Sequence, residues 1–133
     1  ELDKHPQSGV IRAAREQCIA LENETASLLR AGAVPAEIYE KILSLVDPAF
    51  REGFMNGCKF LGHSIGLTMD ETPVLAKGFS APLESGMTLA VEPKIAIPGV
   101  GLIGCENTYE ITADGPAQSL TGACDTLFEV LNQ

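Results

Sequence analysis

The apolar residues change their period along the chain, and that change constrains the fold more than any other feature. From Ser8 to about Ala31, Ile11, Ala14, Cys18, Leu21 and Leu28 follow three- and four-residue steps, with Thr25 filling the missing position. The spacing predicts a helix with one buried stripe. Ser8 is its expected N-cap and Gly32 its expected stop. A second helix is predicted from Pro35, a residue preorganised for the first helical position. It turns Ile38, Ile42 and Leu45 inward, pairs Glu37 with Lys41 outside, and ends at Asp47-Pro48. From Met87 the period falls to two. Met87, Leu89 and Val91 alternate with Thr88, Ala90 and Glu92; beyond Pro98-Gly99, Cys105, Asn107, Tyr109 and Ile111 alternate with Glu106, Thr108 and Glu110. Helices followed by antiparallel strands predict an α+β domain with the helices on one face of the sheet. At 133 residues, 45% of them hydrophobic, the chain is one domain or a piece of one, with enough apolar material for a core.

Charge narrows the partners. The net charge is −9 and no basic cluster stands apart from it, which excludes nucleic acid and anionic membrane as natural partners. The longest nearly apolar stretch, Ile95 to Gly104, is broken by Pro98 and glycines and is far too short to span a bilayer. The first ten residues carry no cationic segment leading into an apolar run, so a cytoplasmic protein is expected. The chain begins with Glu rather than Met, from which an absent upstream segment is expected. Cys18, Cys58, Cys105 and Cys124 are scattered without a C-x-x-C and are expected to be buried free thiols. Cys58 with His63 is too small a set for a zinc site.

A hairpin centred on Gly99 would pair residues whose numbers sum to 198, which sets Glu92 opposite Glu106. Their β-carbons would then lie about 4.5 to 5.5 Å apart. Like charges so placed repel, and two carboxylates facing one cavity either share a proton or hold a cation. With the turn centred elsewhere, both are merely solvated on an exposed face, and spacing alone does not separate the two readings. His63 stands in the strand-like run KFLGHSIGL, where Gly62 and Gly66 permit close approach by another backbone or a ligand. A lone histidine there is more often a core residue, but one imidazole with two carboxylates suits a divalent ion such as Mn, Co, Fe or Zn.

The runs GHSIGLTMDETPVL and LESGMTLAVEPKIAIPGVGLIGCENTYEIT, followed by SLT, resemble the C-terminal part of the pita-bread metallopeptidases, the family of Xaa-Pro dipeptidases, Xaa-Pro aminopeptidases and methionine aminopeptidases. Three motifs in the right order cover His63 to Thr121, and the two helices sit where that family has them. The resemblance implies half of a pita-bread fold, with residues 1–133 as the C-terminal part of a catalytic domain. It implies two divalent metal ions, of which His63, Glu92 and Glu106 would be ligands, Glu92 also carrying protons and Glu106 bridging. Two further Asp ligands have no counterpart here, and Asp3 lies in no strand-like context. The isolated chain is therefore expected to be inactive, to hold one ion or none, and to self-associate. Asp70, in MDETP, stands where the family often has a histidine that contacts substrate, so it is a candidate catalytic residue with an altered role. Asn107 follows Glu106 where Asp is frequent, and Ser64 stands where Gly is common. The implied substrate is a small peptide, cleaved before proline. A metal-free creatinase-like hydrolase and a non-catalytic binding protein share the fold and stay open as alternatives.

Overall fold

A computed structural model describes residues 2–122; Glu1 and residues 123–133, Cys124 among them, lie outside the described residues. Helix α1 spans Ser8–Leu28 and α2 spans Pro35–Leu45. Seven strands follow: β1 Phe60–Ser64, β2 Glu71–Ala76, β3 Thr88–Val91, β4 Lys94–Ile97, β5 Gly101–Gly104, β6 Asn107–Glu110 and β7 Gln118–Ser119. Five of them form an antiparallel sheet in the order β2-β1-β3-β6-β7, while β4 and β5 form a separate hairpin. The helices pack on this β structure, α1 against β3, β4 and β5, and α2 against β2. This is the expected α+β arrangement.

The helix ends differ from expectation. Ser8 is the first helical residue of α1, and Gln7 occupies the cap position without a side-chain bond. The helix stops at Leu28 because Leu29 turns extended and buries its side chain completely, its carbonyl accepting from the amide of Ala117 at 3.0 Å. Gly32 instead serves the following turn, where it adopts a φ of +86° and donates to Leu83 O. In α2, Ile38 and Ile42 are buried as expected, but Leu45 is 42% exposed. The inward place one turn after Ile42 falls to Val46, which is 2% exposed. Of the cysteines among the described residues, only Cys18 is buried; Cys105 is half-buried and Cys58 exposed, since Cys58 follows a short turn ahead of β1 rather than lying in an element.

The hairpin register holds. Thr88↔Glu110 through Val91↔Asn107 pair β3 with β6, and Lys94↔Gly104 through Ile97↔Gly101 pair β4 with β5, about a turn in which Gly99 takes a φ of +76°. Every pair sums to 198. The ladder is nevertheless broken between its two halves, because Pro93 has no amide to donate. Glu92 and Glu106 both sit at that break. Strand β2 was not expected, since Pro73 interrupts the apolar run that forms it.

Candidate functional site

Cross-strand pairing decides which side chains share a face. His63 on β1 lies opposite Ala90 on β3, and Ala90 lies opposite Thr108 on β6. Side chains directly opposite point the same way, as do residues two apart along a strand. His63, Ala90, Glu92, Thr108 and Glu106 therefore belong to one face, and Leu89, Val91, Asn107 and Tyr109 to the other, against the helices. Close approach makes this possible: a β-carbon at Gly62 would fall onto the carbonyl of Ala90. At Gly66 the close neighbour is the carboxylate of Glu71.

His63 is 8% exposed. Its Nδ1 lies 3.1 Å from the carbonyl of Ser64, which orients the ring. Its Nε2 faces Asp70 Oδ1 at 3.2 Å and Glu92 Oε1 at 3.8 Å. Both ring nitrogens thus face acceptors, and the space beside Nε2, bordered by carboxylate oxygens, suits a cation. Phe60 packs its ring edge-on to His63, centroids 6.3 Å apart. Asp70 itself is largely exposed, at the end of a loop after β1. That loop is held by Glu71, whose Oε1 accepts from the Thr68 amide at 2.8 Å and its hydroxyl at 3.0 Å, and these bonds hold the Glu71 carboxyl below its usual range.

Glu92 is half-buried, its amide donating to Leu61 O at 3.0 Å and its Oε2 paired with the ammonium of Lys94. Lys94 also stands 6.0 Å above the Phe60 ring centroid. Glu106 is exposed, and with Glu92, Lys94, Leu102, Gly104 and Cys105 it lines a cavity of about 260 Å³. The donors fit a divalent ion in kind: one imidazole fixed through its other nitrogen, and carboxylates on the same face. In number they fall short, for among the described residues no three His, Cys, Asp or Glu side chains are grouped closely enough to hold a metal ion.

Sequence reasoning missed Glu22. It lies on the buried stripe of α1, one turn after Cys18 and three residues before Thr25, and it is 1% exposed. Its Oε1 accepts from Asn107 Nδ2 at 2.6 Å and from the Tyr109 hydroxyl at 3.0 Å, directly behind the candidate site. Burial, reinforced by the charge of Glu22, pushes the Cys18 thiol up to about 12. The signal available was positional, a charged residue flanked at i−4 and i+3 by residues of the apolar stripe.

A sequence profile of metallopeptidase family M24 matches residues 4–113. The chain is 30% identical over 115 residues to an Xaa-Pro dipeptidase of Lactobacillus helveticus, covering 86% of this chain and 27% of that protein. It is 37% identical over 71 residues to the Xaa-Pro dipeptidase of Lactobacillus delbrueckii subsp. lactis, covering 53% of this chain and 18% of the relative. Among solved structures, the X-Pro aminopeptidase of Thermotoga maritima superposes with a TM-score of 0.81 at 20% identity, over 91% of this chain and 34% of that one. An Xaa-Pro dipeptidase of Bacillus anthracis gives 0.75 at 27% identity, over 85% and 31%. The chain therefore spans about a third or less of the length of each protein it resembles. No described helix is long and apolar enough to cross a membrane.

Proposed function

The chain belongs to metallopeptidase family M24, and on that premise we propose that His63, Glu92 and Glu106 are ligands in a two-metal centre that hydrolyses the bond before proline in short peptides. The observation that carries this reading is His63 Nε2 turned toward a carboxylate oxygen of Glu92, with Glu106 lining the same cavity as Glu92. The Xaa-Pro dipeptidases among its relatives support the substrate class. Residues 1–133 are proposed to act as the C-terminal part of the catalytic domain, with the two Asp ligands supplied from outside this span. The free thiols of Cys18 and Cys58 suit a reducing, cytoplasmic setting, and a homo-oligomer is proposed because exposed apolar side chains such as Leu102 and Leu120 favour burial against a second copy.

When bound, Mn, Co, Fe or Zn ions supply electrophilic activation of the scissile carbonyl and of the attacking water. The chain's own residues do the rest. The Ser64 carbonyl fixes the His63 ring so that Nε2 presents to the site. Glu92 takes the proton of the attacking water at a carboxylate oxygen and returns it to the leaving proline nitrogen. Lys94 pairs with Oε2 of Glu92, which leaves Oε1 on the His63 side. Asp70, at the mouth and near His63, contacts the substrate backbone as an acceptor, where an imidazole would have donated.

The test is hydrolysis of an Xaa-Pro dipeptide by the complete protein, before and after chelation and after re-addition of Mn or Co. Loss on chelation and recovery with metal are expected; activity that survives chelation overturns the reading. Metal-dependent hydrolysis by the 133 residues alone would show that the external Asp ligands are not needed.

A further inference from the structure

Burying a carboxylate in the middle of a helix is costly, and an apolar residue at position 22 would pack there without that cost. Glu22 is nonetheless buried, and Oε2 reaches no hydrogen-bond partner among the described residues. What it does hold is specific. A carboxylate only accepts hydrogen bonds, so the residue facing it must donate, and the Asn107 amide does so at 2.6 Å. The other end of that amide, Oδ1, accepts from the Thr121 hydroxyl at 2.7 Å, and Thr121 Oγ1 accepts in turn from the Thr108 amide at 3.0 Å. The network runs from α1 to the start of β6 and across to the segment after β7, and each link has its donor and acceptor matched.

Asn107 is the residue after Glu106. Because neighbours on a strand face opposite ways, anchoring Asn107 to the helix side turns Glu106 to the cavity side, where Glu92 stands. We propose that Glu22 and Asn107 are matched positioning residues for Glu106: a buried acceptor on α1 and a donor on β6 that together set the angle at which the Glu106 carboxylate meets a metal ion. This rests on the reading of Glu106 as a ligand. What matters is complementarity, not which position carries the charge. A carboxylate at both positions leaves two acceptors face to face, whereas an amide on the helix with a carboxylate on the strand restores the match.

Three forms of the complete protein test it: wild type, Asn107→Asp, and the exchanged double variant Glu22→Gln/Asn107→Asp. Each is titrated with Co(II) by calorimetry, its cobalt absorption spectrum is recorded, and its melting temperature is measured. Asn107→Asp is expected to weaken cobalt binding by about 10- to 100-fold, as changes behind a ligand do, and to alter the spectrum; the exchange is expected to recover affinity to within about threefold of wild type and to restore the spectrum. Wild-type affinity in Asn107→Asp, or an exchange that recovers melting temperature but not affinity, overturns the proposal. If Asn107→Asp does not fold, Asn107→Ala removes the donor without adding charge, and unchanged cobalt affinity in that variant overturns it equally. Failure of the wild type to bind cobalt refutes the ligand reading itself, and this proposal with it, and is distinguished because the loss then precedes any substitution.

Discussion

Lys94 places its ammonium on the Oε2 side of Glu92, two residues earlier on the same face, while His63 stands on the Oε1 side. One carboxylate is thus shared between a fixed cation and the proposed metal position. Lys94→Met leaves Glu92 with the metal as its main counter-ion. Removing a competing pair worth about 1 kcal/mol should tighten binding of the first ion about fivefold. Calorimetric titration with Mn or Co checks this, and weaker binding would mean that Lys94 supports the site instead of competing with the ion.

Glu92→Gln and Glu106→Gln each replace a proposed anionic ligand with a neutral side chain of the same shape. In the complete protein each should lower kcat/KM by more than the ~10- to 100-fold that outer-shell changes cost, with little change in melting temperature. Near-normal turnover with unchanged metal content in either variant would dismantle the mechanism.

Asp70→His exchanges an acceptor for a side chain that can donate, 3.2 Å from His63 Nε2. Because Asp70 is mostly exposed, folding should not suffer, and the effect should appear as a changed ratio of activity on Xaa-Pro and other dipeptides. An unchanged ratio would detach Asp70 from substrate recognition.

Gly62→Ala drives a methyl group into the carbonyl of Ala90 across the β1–β3 ladder. Moving backbone to accommodate it should cost about 1–3 kcal/mol and loosen His63 as well. Denaturant unfolding measures the first effect, and the second should appear as weaker metal binding.

The cysteines separate by environment. Exposed Cys58 should react with iodoacetamide first, while Cys18, buried and with its thiol pushed up to about 12, should stay unmodified until the protein unfolds. The unfolded chain releases the Cys18 proton near its ordinary value of 9.0, so this thiol's contribution is present below pH 9 and is lost as pH rises toward 12. The stability difference between wild type and Cys18→Ala should shrink over that range; a difference that stays constant across it would contradict the assignment.

Much of this was legible because it depends on period. Ile11, Ala14, Cys18, Leu21 and Thr25 line the buried side of α1 as their spacing dictates, and the alternation on either side of Gly99 sets the register that brings Glu92 and Glu106 to one face. What stayed hidden depends on tertiary contact. Glu22 looks like a surface charge until Asn107 and Tyr109 are placed beside it. Leu45 and Val46 differ by a rotation of one residue around α2, which the pattern leaves undecided and packing settles. The Lys94 pair likewise needs the strand before it can be seen.

The interrupted ladder has a consequence for how chains of this kind can vary in length. The two arms running from Val91 to Ile97 and from Gly101 to Asn107 keep one common count on both sides of Pro93. Residues added at the Pro98-Gly99 tip leave that count untouched. A single residue added within one arm has no partner in the other, and unless a bulge absorbs it, everything beyond it toward the site turns over. Glu92 and Glu106 would then look away from each other although neither had been replaced. Length within the arms is therefore under the same constraint as the identity of the carboxylates, and changes there must come in matched pairs.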